Sequence, residues 1–238
     1  AMARAVAEAG GGRSIGSLAA WCTAVGKRAF LDDRRRLATE QRHAEREAVE
    51  LSARPRAAEW AEPEASTGAL PGDALLSTLG TEEARTGVAV FDASGAELAR
   101  DERCPGVHGE TVAAGGAIVV GCQDGALVFR DGAFTKVASP DAYGRIGTQA
   151  GSPESAVVLG DYKTDAEAEL ERPTRVSLID TEAGTLRLVE LGTSYTFRSL
   201  ARGPHGEALV LGTDGAIHVI DPAAGTVTAT IPVLEEWT

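Results

Sequence analysis

Short apolar runs of four or five residues, rich in Val, Ile and Phe and cut by glycine turns, organise the chain from Thr86 onward. The clearest stretch is 104–132, where Ala117 to Val120 and Ala126 to Phe129 are separated by Gly115-Gly116, Asp124-Gly125 and Asp131-Gly132. Glycines at those places supply the positive backbone angles of tight hairpin turns, so the stretch reads as one four-stranded antiparallel unit. The grammar of Gly121-Cys122-Gln123-Asp124-Gly125-Ala126-Leu127 returns as Gly212-Thr213-Asp214-Gly215-Ala216-Ile217. The outer turns at Asp92, Asp131, Asp180 and Asp221 begin 39, 49 and 41 residues apart. A period of about 40 to 50 residues with four short strands each predicts β-propeller blades, with a β-sandwich as the alternative.

The fold class expected is therefore all-β: an incomplete β-propeller of about three and a half blades over residues 86–238. Half a blade spans residues 86–100, full blades span about 109–137, 145–191 and 196–231, and the blade at 145–191 carries an insertion, Asp161 to Pro173, between its second and third strands. Connections of that length are surface loops that often carry function. Residues 1–85 are expected to be a separate charged segment, helical or disordered. Its run Lys27 to Glu50 is rich in Arg, Glu and Ala but has almost no apolar stripe, so a helix there would be polar on nearly every side. A solvated segment and a partner-binding helix are both open for it, and His43 is expected to be exposed. The apolar patch Ser14 to Cys22 is short, and Trp21 suits no small-residue cleavage site, so it is not read as a signal sequence.

Charge narrows the partners. The formal net charge is −12, and residues 1–64 hold 11 basic and 10 acidic side chains of the 23 and 35 in the chain. The repeats thus keep 12 basic and 25 acidic groups, a surface that repels phosphate backbones and argues against nucleic acid. No apolar run approaches the roughly 20 residues of a membrane span.

Blade topology sorts the chemical groups by face. The chain zigzags outward from the axis, so the approach to a first strand and the turn joining strands two and three lie on one face, called here the upper face. Cys104 precedes a first strand and Cys122 ends the second strand of the same blade, so the two share that face and are expected to form a disulfide. Two separate buried thiols are the alternative. A disulfide implies an oxidising compartment. His108 lies on the upper face near the axis, and Asp161 ends the second strand of the next blade on the same face. An imidazole and a carboxylate there suit zinc, while a histidine bonded to loop backbone is the plainer reading of the residues alone. His205, in Gly203-Pro204-His205-Gly206, falls on the opposite face as a turn residue, and His218, mid-strand between Ile217 and Val219, is expected to pack between blades and is kept as a reserve ligand. There is no H-E-x-x-H, phosphate-binding glycine loop or C-x-x-C, and the chain is read as a non-enzyme.

The motifs C-P-G-V-H-G-E (104–110), G-C-Q-D-G (121–125), D-A-Y-G-R-I-G (141–147), L-G-D-Y-K (159–163), R-P-T-R-V-S-L-I-D (172–180) and T-S-Y-T-F-R-S-L (193–200) together resemble the AztD-type periplasmic zinc metallochaperones. These are secreted propeller proteins that deliver zinc to the substrate-binding protein of a zinc ABC transporter. The resemblance covers about residues 86–233. It implies zinc as cargo, a zinc-transporter substrate-binding protein as partner, a periplasmic or secreted location, and His108 as a ligand. It also implies a longer, complete propeller, of which this chain holds the C-terminal half. Zinc takes about four ligands and His108 and Asp161 supply two, so an incomplete site is expected. A propeller enzyme of the quinoprotein or lactonase kind, or a bare interaction scaffold, are the alternatives.

Overall fold

The computed structural model describes residue 70 and residues 74–81, 84–168 and 170–237. Among the described residues, sixteen strands run in chain order: β1 (Leu75–Gly80), β2 (Arg85–Phe91), β3 (Glu97–Asp101), β4 (His108–Val112), β5 (Ile118–Cys122), β6 (Asp124–Arg130), β7 (Ala133–Ala138), β8 (Gly144–Arg145), β9 (Gln149–Ser152), β10 (Ser155–Gly160), β11 (Arg175–Asp180), β12 (Thr185–Glu190), β13 (Tyr195–Arg202), β14 (Ala208–Gly212), β15 (Ala216–Asp221) and β16 (Thr226–Pro232). Three antiparallel blades, β4 to β7, β9 to β12 and β13 to β16, follow a three-stranded sheet, β1 to β3, and the two-residue β8 bridges in parallel to β6. The first strands β4, β9 and β13 lie beside one another around the axis, and the outer strands β3, β7 and β12 neighbour one another at the rim. This is an incomplete β-propeller. Among the described residues no helix is long and apolar enough to cross a membrane.

Burial explains why the central strands read as continuous apolar runs. Ile118, Val120 and Cys122 of β5 pack with Val88 and Val90 of the first sheet. The alternate residue Val119 packs the other way, with Val158 and Ile179 of the next blade. Every residue of β5 and of β14 is buried. A strand covered on both faces has no polar side to alternate with. The outer strands do alternate or turn polar, β7 and β12 reading half exposed and β16 almost wholly so.

The array begins earlier than residue 86. Strand β1, Leu75–Gly80, pairs antiparallel with β2, Leu76 opposite Val90 and Leu79 opposite Gly87. Because β3 sits at the rim beside β7, β1 holds the second-strand place of its blade. The segment Leu75-Leu76-Ser77-Thr78-Leu79 lacks the β-branched density that marks the other strands, and a Pro-punctuated acidic stretch precedes it, so propensity gave no boundary there. The remaining expectations for the charged segment, including those for Cys22, His43 and the run Lys27 to Glu50, lie outside the described residues.

Blades are also joined by polar groups. Arg202 is buried at the lower end of β13, and its guanidinium donates to the carbonyls of Ala150 and Val157 in the preceding blade and of Gly206 in its own. Burial lowers its pKa to about 10.

Cys104 and Cys122 are joined by a disulfide with Cα atoms 4.9 Å apart, and both residues are fully buried. It ties the loop before β4 to the end of β5. Closing a loop of this size lowers the entropy of the unfolded chain, so replacing both cysteines by alanine is expected to cost about 3 kcal/mol. A shift of the urea midpoint at unchanged slope reads that loss, and adding reductant to the double variant should produce no further shift.

Candidate functional site on the upper face

Three register pairs fix the upper ends of the blades. His108 lies opposite Gly121, Gln149 opposite Gly160, and Tyr195 opposite Gly212. Cys122, Asp161 and Thr213, each following one of those glycines, therefore occupy equivalent places at the top of three second strands, as the repeated sequence implied. Between the second and third blades the chain crosses this face as residues 144–149, and most of the polar chemistry gathers around that crossing.

The crossing is clamped at both ends. The Ile146 N–H donates to Cys122 O at 3.0 Å, next to the disulfide, and the Asp161 N–H donates to Thr148 O at 2.9 Å. Arg145 and Lys163 exchange both backbone hydrogen bonds, at 2.9 and 3.0 Å. Glycine permits the close approach: Gly109 has φ +70°, and a Cβ there would sit 2.6 Å from Gly147 O, while a Cβ on Gly121 would collide with the Ile146 carbonyl.

His108 and Asp161 meet this loop from different sides. The His108 side chain is exposed at the start of β4, and its Nδ1 lies 2.7 Å from Gly147 O. A carbonyl only accepts, so Nδ1 carries a proton, and in the neutral ring the free lone pair is then on Nε2. Asp161 is fully buried. Its Oδ1 accepts from the N–H groups of Gly147 at 2.7 Å and Thr148 at 2.9 Å, whereas its Oδ2 has no hydrogen-bond partner and lies 4.0 Å from Lys163 Nζ. Burial raises the Asp161 pKa above 3.8, against the pull of the Thr148 and Gly147 amides and of Lys163 and Arg145. The two residues thus share a loop without sharing a side of it. Among the described residues no three His, Cys, Asp or Glu side chains converge to hold a metal ion.

Several further groups at the site have no warning in the spacing of His, Cys or carboxylates. Gln149 Nε2 reaches His108 O at 3.4 Å and Ile146 O at 3.5 Å, and its Oε1 is buried without a partner. The Tyr195 hydroxyl donates to Arg175 O at 2.7 Å and accepts from the Tyr162 N–H at 3.0 Å; burial holds its pKa well above 10.0. The Tyr162 hydroxyl donates to Asp141 at 2.8 Å while the Arg175 guanidinium lies over the Tyr162 ring, 5.3 Å from its centroid. The expected insertion is correspondingly shorter at the surface, because Asp161, Tyr162 and Pro173 are buried. Its tip is ordered by Glu171, which accepts from the N–H groups of Thr164 and Asp165, and exposes Leu170.

The other two described histidines lie apart. His205 is exposed in the opposite-face turn, its backbone N–H donating to Glu207. His218 is buried in β15, and its Nε2 sits 3.0 Å from Asp214 Oδ2.

No protein-family model and no curated protein matches the chain. Among solved structures, the crystal structure of Citrobacter koseri AztD is similar, with TM-score 0.56 and 22% identity over 71% of this chain and 46% of that one. The structure of apo AztD from the same organism is similar with TM-score 0.55 and 22% identity, covering 71% and 46%. The chain spans less than half the length of these structures, and the likeness is one of fold.

The strained balance at Asp161 has a measurable sign. A carboxyl whose folded pKa is raised loses its proton later in the native than in the unfolded state, so its contribution to stability falls as pH climbs above 3.8 and levels off once the native group has ionised. Asp161→Asn keeps an oxygen for the two amides and removes the charge. The unfolding free energy of the variant relative to the parent should therefore rise with pH from that point. A relative loss with rising pH would mean that the amide bonds outweigh the cost of burial.

Proposed function

We propose that this chain is a zinc-binding propeller protein that hands zinc to the substrate-binding protein of a zinc ABC transporter, acting as a carrier and not as a catalyst. The observation that carries this reading is the gathering of the motifs around residues 144–149 of the upper face, with His108 exposed and its Nδ1 proton committed to Gly147 O. A neutral imidazole anchored through one nitrogen offers the other as a metal ligand. The AztD-like fold and the resemblance of those motifs to zinc metallochaperones support the same reading. A buried disulfide suits an oxidising, periplasmic or secreted setting.

One imidazole is far from the four ligands of a closed structural zinc site. The remaining donors would come from elsewhere in a complete assembly, and a site assembled from separate parts suits release as well as capture. The acidic blades add a general attraction for cations.

His108→Ala is expected to weaken zinc binding by about tenfold or more, roughly 1.4 kcal/mol, in a competition titration with a chromophoric chelator. His205→Ala, on the opposite face, should leave it nearly unchanged. Acidification should weaken zinc binding in the parent, because protonating the imidazole removes its lone pair. Equal losses from the two substitutions would remove His108 from the site, and turnover of a lactone or alcohol by zinc-free protein would replace the carrier reading with an enzymatic one.

A further inference from the structure

Asp161 and His108 are connected by one amide. The peptide between Gly147 and Thr148 gives its N–H to Asp161 Oδ1 at 2.9 Å, and the carbonyl of that same peptide takes the Nδ1 proton of His108 at 2.7 Å. An acceptor on the N–H side of an amide pushes electron density toward its oxygen, so the two hydrogen bonds strengthen each other. We propose that Asp161 is a positioning residue, which fixes the tautomer and direction of the His108 ring through the Gly147–Thr148 peptide, and not itself a metal ligand.

Four observations carry this assignment. Asp161 is fully buried beneath the crossing while His108 is exposed on it. The second amide bond, from Gly147 N–H at 2.7 Å, holds Oδ1 against the same turn. The unpartnered Oδ2 is flanked by Lys163 Nζ at 4.0 Å, a cationic neighbour that a metal would have to displace. Gly109, next to His108 and with φ +70°, lets Gly147 O come down close to β4, where any side chain would hold it off. In metal sites a ligating histidine commonly gives its second N–H to a carboxylate or a backbone carbonyl, and losing that partner costs about 10- to 100-fold in affinity. Here carbonyl and carboxylate act in series, the peptide being the spacer.

The consequence for zinc rests on the function proposed above, but the state of the ring belongs to the metal-free protein, so the two can fail separately. The full chain, labelled with 15N-histidine and free of metal, is compared with Asp161→Asn, which keeps the Oδ1 acceptor, and Asp161→Ala, which removes it. Imidazole nitrogen shifts should place the His108 proton on Nδ1 in the parent and in Asp161→Asn, and show a mixture of tautomers in Asp161→Ala. Thr148→Pro, which deletes the linking N–H and leaves the carboxylate in place, should give the same mixture and serves if Asp161→Ala does not fold. In zinc titrations Asp161→Ala should bind about tenfold more weakly, within the range for lost supporting partners, and Asp161→Asn within about threefold of the parent. A parent-like tautomer in both Asp161→Ala and Thr148→Pro overturns the proposal. Equal zinc losses in Asp161→Asn and Asp161→Ala overturn it in favour of direct ligation. Should the parent bind no zinc, the carrier reading falls, and the tautomer comparison still decides the role of Asp161.

Discussion

Burial of the second and third strands on both faces is the constraint from which the rest of this structure follows. With β5, β6, β14 and β15 packed between neighbouring sheets or against the chain's own C-terminal residues, polar side chains gather mainly where strands end. The upper ends of β5, β10 and β14 are therefore where Cys122, Asp161 and Thr213 stand, at one equivalent place in three blades. Each is used differently. Cys122 closes a disulfide, Asp161 holds a crossing loop, and Thr213 shares hydrogen bonds with Thr193 and Ser194. A repeat architecture keeps the frame and lets the strand ends diverge.

Buried polar groups then act as stitches between blades. Arg202 on β13 gives its guanidinium hydrogens to carbonyls of β9 and β10, and the Tyr195 hydroxyl bonds backbone groups of Tyr162 and Arg175 in the same neighbouring blade. An apolar side chain at either position would fill space but remove these hydrogen bonds, and a buried group left without any partner costs about 1 to 3 kcal/mol. The partners are backbone atoms at fixed depth, so these bonds also set the angle at which one sheet meets the next.

This geometry explains what was legible in the sequence. Turn glycines and aspartates mark hairpins by local backbone demand, and the doubly buried strands announce themselves as unbroken apolar runs, so the three full blades and the pairing of Cys104 with Cys122 could be read directly. The first strand could not. Leu75–Gly80 has an ordinary composition and becomes a strand by pairing with Arg85–Phe91, a partner already visible. The groups around residues 144–149 were half legible: His108 and Asp161 stood out by type and by face, while Gln149, Tyr162 and Tyr195 did not, because their partners are main-chain atoms of another blade. No spacing of residue types encodes such contacts. They follow from the register of one blade against the next.

A carboxylate at residue 161 sits where burial costs it solvation. Asp161 is buried, one of its oxygens lacks a partner, and its proton is held above the ordinary range, all of which weigh against it as a stabilising group. An apolar residue in that place would abandon the amides of Gly147 and Thr148, and an asparagine would hold them without the charge. What either side chain adds over an apolar one is an acceptor that fixes the peptide facing His108. A fold that tolerates a costly ionisable group beneath a loop, with an exposed imidazole bonded to the far side of that loop, has the arrangement expected when the ring's direction matters more than the stability of the crossing.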